Sequence, residues 1–223
     1  RSLFLVFLTF IMIKGSYGQS DTISYLALGD SYTIGESVSE ELRWPVQLTS
    51  RVNALGYRYQ IDKPHIIATT GWTTQELKTA IEKQKPDKDY GLVSLLIGVN
   101  DHYREYPAKD YPDRFRSLLN TAIVHAGGNK NNVIVLSIPD YGFTPFGEAK
   151  QKKISRGIRD YNAINKQITL EHGIKYYDIT PISKEGLTQP HLVADDKLHP
   201  SGKQYTLWVD LITSDPEFMA LFQ

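Results

Sequence analysis

The chain has 223 residues, 41% of them hydrophobic and 22% charged, with 25 basic residues against 25 acidic ones and no cysteine. That length suits one medium domain with a core of its own. Balanced charge gives no pull toward nucleic acid or an anionic surface, and the missing cysteine excludes disulfides, thiolate metal sites and thiol catalysis.

The first residues, "RSLFLVFLTFIMIKGSYGQ", place Arg1 before an apolar run from Leu3 to Ile13. Small residues follow at Ser16 and Gly18, spaced as in a leader cleavage site. The run is too short for a membrane-spanning helix, which needs about 20 residues. Residues 1–18 therefore read as a signal peptide cut near Gly18–Gln19, with a secreted or periplasmic product. No later apolar run is long enough for a stable membrane anchor. Residues 19–223 show no linker or repeat and read as a single domain.

Short apolar runs then alternate with helical patterns. "ISYLAL" (23–28), "GLVSLLIG" (91–98), "NVIVLSI" (132–138) and "IKYYDI" (174–179) are apolar at nearly every position, as strands buried on both faces should be. A fifth strand is expected within 59–69, where Pro64 interrupts it and points to a sheet edge. Between them, 44–55 carries Pro45 in its first turn and Gly56 after it, and 73–83 opens with Thr73 and Glu76 at capping-box spacing. Residues 113–128 end in two glycines, Ile154, Ile158, Tyr161, Ile164 and Ile168 mark one face of a long helix, and a last helix is expected over 201–212. Five strands separated by helices predict an α/β fold with a five-stranded parallel sheet between helix layers. In such sheets the site lies beyond the carboxyl ends of the strands.

Four groups stand at those ends: Gly29-Asp30-Ser31, the turn at Gly71, Gly98-Val99-Asn100-Asp101, and Asp196 three residues before His199. Their chemistry is that of acyl transfer. Ser31 can attack a carbonyl if His199 removes its proton and Asp196 holds the imidazole. The N–H groups of Ser31 and Gly71 and the Asn100 amide can receive the oxyanion.

"GDSYT", "TTGWTT", "GVND" and "DKLHP" resemble, in order, the four blocks of the SGNH hydrolases, the GDSL-like lipase and esterase superfamily. "RWPVQL" (43–48) resembles the start of that family's first helix. The resemblance spans about residues 23 to 212, and Tyr32 stands where the name motif has leucine. It implies a flavodoxin-like three-layer α/β/α fold and a serine carboxylic-ester hydrolase with Ser31, Asp196 and His199 as triad. It also implies an oxyanion hole of Ser31, Gly71 and Asn100. No H-E-x-x-H, EF-hand, P-loop or G-x-G-x-x-G pattern occurs, so no cofactor or metal is expected. The family includes lysophospholipases, thioesterases, arylesterases and carbohydrate acetylesterases, so the expected partner is a small-molecule, lipid or carbohydrate ester with a short or medium acyl group. An acyltransferase using the same intermediate, or a noncatalytic exported binding protein of the same fold, are the alternative readings.

Substrate contacts are expected from Tyr32, from His102 beside Asn100-Asp101, and from Tyr141 and Phe143 in "IPDYGFTPFGE" (138–148), which also carries Phe146. Asp30 and Asp101 read as anchors of their loops rather than proton carriers. His65, His125 and His172 fall in strand or helix patterns and read as structural. His191 has no carboxylate in the same relation as Asp196 to His199, and Asp195 is set aside on the family spacing.

Overall fold

The computed structural model describes residues 21–87 and 89–223, and the expected signal peptide lies outside them. Its strands in chain order are β1 (Asp21–Ile23), β2 (Tyr25–Gly29), β3 (Tyr59–Ile61), β4 (His65–Ala68), β5 (Leu92–Leu96), β6 (Val133–Leu136) and β7 (Lys175–Tyr177). The main sheet runs β4-β2-β5-β6-β7, every neighbour parallel. In chain order these five strands give the flavodoxin-like 2-1-3-4-5 arrangement. The central strands β2, β5 and β6 are buried at every position, because helices cover both faces.

Pro64 divides the expected fifth strand in two. It lacks the N–H a continuous ladder would use, so β3 ends before it and pairs with β1 in a separate two-stranded sheet. β4 restarts after it as the edge of the main sheet, where Pro64 was expected to place it.

The helices are α1 (Ser31–Ile34), α2 (Trp44–Asn53), α3 (Thr74–Gln84), α4 (Val99–Tyr103), α5 (Tyr111–His125), α6 (Gln151–Glu171), α7 (Thr180–Ser183), α8 (Gly202–Thr213) and α9 (Pro216–Met219). α3 starts as its sequence dictates: the Glu76 carboxylate accepts from the Thr73 N–H at 2.8 Å, and Thr73 Oγ1 caps the Glu76 N–H. α6 buries Ile154, Ile158, Tyr161 and Ile168 along the predicted stripe. Asn165 is buried on that face too, accepting from the Tyr111 hydroxyl at 2.8 Å. After α8 the chain turns back, and Phe218 and Phe222 enter the core, a closing segment beyond the expected last helix. Among the described residues no helix is long and apolar enough to cross a membrane.

One feature of register positions the site. Gly29, the last residue of β2, lies opposite Ala68 of β4 and Leu96 of β5. Three strands thus end level, and the loops carrying Ser31, Gly71 and Asn100 leave the sheet at one edge.

Candidate active site

The turn after β2 is made by close packing. A Cβ at Gly29 would land on the Thr33 side chain and 2.6 Å from the Leu96 carbonyl oxygen, so only glycine lets this strand end against β5. Asp30 then caps α1, its Oδ1 accepting from the Tyr32 N–H at 3.1 Å. Ser31 is the first helical residue, and its N–H has no acceptor within so short a helix. Gly35, in the left-handed conformation, closes the turn by donating to the Ser31 carbonyl at 3.0 Å.

The two carboxylates near this edge serve as anchors, as expected. Asp101 accepts from the Thr74 N–H at 2.8 Å and the Thr74 hydroxyl at 2.6 Å, joining α4 to the start of α3, with Arg114 at 3.4 Å. Asp30 is fully buried, and burial pushes its carboxyl up to about 8 against the lowering effect of the Tyr32 N–H, with the Asp101 charge adding to the rise. Burial thus favours the neutral, protonated carboxyl beside Ser31.

Gly71 sits at φ +86°, a conformation that favours glycine. Its carbonyl accepts from Arg104 Nη2 at 2.6 Å, and Nη1 of the same guanidinium lies 3.2 Å from Glu76 in the α3 cap. Arg104 therefore fixes the peptide unit after Gly71, a role with no local signal in the sequence. Asn100 donates one Nδ2 hydrogen to the Trp72 carbonyl at 3.0 Å, which orients the amide and leaves its second hydrogen for another acceptor.

His199 reaches the same edge from the loop before α8. Its Nδ1 lies 2.6 Å from Asp196 Oδ2, while Asp196 Oδ1 accepts from the backbone N–H groups of Leu198 and His199, each at 2.9 Å. The Ser37 hydroxyl donates to Asp196 Oδ2 at 2.6 Å from a backbone at φ 64°. Partial burial raises the Asp196 pKa, but the hydrogen bonds from Ser37 and His199 outweigh it and hold the carboxyl well below the usual carboxylate range. The Tyr32 ring meets the His199 ring edge-on at 5.8 Å.

Ser31, Gly71, Asn100 and His199 line one cavity of about 300 Å³. Tyr32, Tyr103, Tyr141 and Phe146 form its aromatic walls. Among the described residues Ser31 makes no hydrogen bond to His199; the two meet as walls of this cavity, and such contacts commonly tighten on substrate. The arrangement brings a hydroxyl, an oriented imidazole and amide groups able to donate to an oxyanion into one space, which is what acyl transfer requires.

Two residues expected to contact substrate do not line this cavity. His102 faces a neighbouring groove behind Tyr141, whose hydroxyl is 3.4 Å from its Nδ1. Phe143 lines neither space. Asp140 caps a single turn over Tyr141–Phe143 that sends Tyr141 inward and leaves Phe143 beside Lys184, whose Nζ is 5.9 Å from the ring centroid. Phe146 takes the place expected for Phe143. Of the other histidines, His65 keeps the Tyr90 hydroxyl at 2.8 Å, His125 the Asp87 carbonyl at 2.7 Å and His172 the Ile168 carbonyl at 2.8 Å, while His191 is exposed outside the cavity. Among the described residues no group of three or more His, Cys, Asp or Glu side chains is arranged to hold a metal ion.

No curated protein matches the chain in sequence. Solved structures share its fold. An acetyl xylan esterase variant from Geobacillus stearothermophilus is 22% identical with a TM-score of 0.63, over 88% of this chain and 94% of the other. A lipase/acylhydrolase from Enterococcus faecalis is 21% identical with a TM-score of 0.64, over 87% and 95%. A psychrotrophic esterase from Pseudoalteromonas sp. is 18% identical with a TM-score of 0.60, over 86% and 94%. The sequence profile of the GDSL-like Lipase/Acylhydrolase family matches residues 27–207, a span that holds every residue lining the cavity, so the chain belongs to that family and is a hydrolase acting on ester bonds.

Proposed function

We propose that the protein is a serine carboxylic-ester hydrolase that removes short or medium acyl groups through an acyl-enzyme on Ser31. The observation that carries this reading is the convergence of Ser31, Gly71, Asn100 and His199 on one cavity, with His199 tied to Asp196 at 2.6 Å. With Nδ1 on Asp196, the other ring nitrogen of His199 is the one that can take the Ser31 proton as Oγ bonds to the acyl carbon. The carbonyl oxygen, now an anion, is received by the N–H groups of Ser31 and Gly71 and the Asn100 amide. Collapse breaks the ester bond, and His199 returns the proton to the departing alcohol. Water, deprotonated by His199, then attacks the acyl carbon and releases the acid and free Ser31. A cavity of about 300 Å³ lies at the lower end of ordinary ligand pockets, which supports a small acyl group.

Hydrolysis of 4-nitrophenyl esters from acetyl to dodecanoyl by the protein and by Ser31→Ala tests the reading. Release by the parent and its loss in a folded Ser31→Ala variant are expected, with the maximum at the shorter chains. Equal turnover by both proteins would overturn it.

A further inference from the structure

The cavity at Ser31 is not the larger of the two spaces at this edge. A groove of about 660 Å³ adjoins it, and Tyr103, Tyr141 and Phe146 line both. The groove runs between the residues following α4, the turn at Phe146–Lys150 and the first half of α6. Gly157 makes its floor possible, since a Cβ there would strike the His102 ring. The only three exposed Phe, Tyr or Trp rings among the described residues, Tyr103 (58% exposed), Phe146 (53%) and Tyr106 (40%), all belong to this groove. Exposed apolar surface gathered in one place marks a binding surface more often than scattered residues do.

Charged side chains stand between those rings. Lys153 pairs with Glu105 at 2.6 Å, both largely exposed, and Lys150 and Asp160 complete the rim. Two cations against two carboxylates give no preference for an anionic ligand. An acyl chain laid here would strip water from these charges without replacing its hydrogen bonds, which is costly. A sugar ring has the matching surface: C–H faces that lie on aromatic rings, and hydroxyls that bond to carboxylate and ammonium groups.

We infer that this groove holds the alcohol side of the ester, and that the alcohol is a neutral carbohydrate. The substrate is an O-acylated oligosaccharide whose sugar rings lie along Tyr103, Tyr106 and Phe146 while its acyl group enters the cavity at Ser31. Hydrolysis adds water across the ester, giving the free acid and a sugar hydroxyl. The inference rests on the acyl-enzyme reading above and names the leaving group that reading left open.

Tyr106 and Ala149 line the groove and not the cavity, and both are exposed. Tyr106→Ala removes a stacking face and Ala149→Trp fills the groove. Each is assayed on O-acetylated xylo-oligosaccharides, 4-nitrophenyl acetate and lysophosphatidylcholine, with thermal unfolding as a check on fold. On the oligosaccharide, kcat/KM should fall about fivefold or more, mainly through KM, while 4-nitrophenyl acetate changes less than about twofold. Equal changes on both substrates, no change on either, or a parent preference for the lysophospholipid would overturn the inference. Binding of the acetylated oligosaccharide to Ser31→Ala protein separates the two readings. If 4-nitrophenyl acetate is not hydrolysed, the acyl-enzyme reading fails, yet binding that Tyr106→Ala weakens still supports the groove, and no binding refutes it.

Discussion

Ser37 offers a test in which activity and stability should part. Its hydroxyl donates to Asp196 Oδ2 at 2.6 Å, across 159 residues of sequence, from a backbone held at φ 64°. A hydrogen bond to an ionised group contributes about 1.5–3 kcal/mol. Asp196 keeps 29% of its side chain exposed and Ser37 is at the surface, so solvent screening brings this to about 1 kcal/mol. At about 1.4 kcal/mol per tenfold, kcat/KM should fall roughly fivefold in both Ser37→Ala and Ser37→Gly. Stability behaves differently. Alanine keeps the left-handed strain of about 1 kcal/mol, whereas glycine relieves it at the cost of its own backbone freedom, about 0.5–1 kcal/mol. The glycine variant should therefore be at least as stable as the alanine variant while sharing its loss of activity. Ester hydrolysis measured beside urea unfolding decides the matter. Full activity in both variants, or activity recovered in Ser37→Gly, would refute the role of the hydroxyl.

Arg104→Ala releases the Gly71 carbonyl, bonded at 2.6 Å, and on the proposed mechanism, in which the Gly71 N–H meets an oxyanion formed only in the transition state, should lower kcat about tenfold with little change in KM. Arg104→Lys should restore part of the loss, and a fall confined to KM would argue against a positioning role. Asp30 is predicted to make the fold less stable as pH rises from about 4 to about 8: the unfolded carboxyl ionises near 3.9 while the buried one keeps its proton, so the folded state holds the extra proton. Asp30→Asn keeps an oxygen for the Tyr32 N–H but cannot ionise, so this part of the pH slope should vanish from thermal unfolding; an unchanged slope would show that other groups carry it.

The main sheet and the stations of the site were legible in the order of the residues. The runs of β2, β5 and β6 could be read because strands covered on both faces are apolar throughout, and Thr73 with Glu76 marked a helix start because capping is local chemistry. Ser31, Gly71, Asn100 and His199 could be placed at one edge because parallel strands send their following loops the same way. Tertiary structure alone decided which side chains face that edge. Phe146 enters the cavity and Phe143 does not, through the torsions of one capped turn, while His102 lies behind Tyr141 in the adjoining groove. Ser37 on Asp196, and Arg104 on the Gly71 carbonyl, join segments far apart in the chain. Neither leaves a periodic or local mark, because a hydrogen bond across loops depends on where two backbones come to lie, and that is settled only when the sheet and its helices have packed.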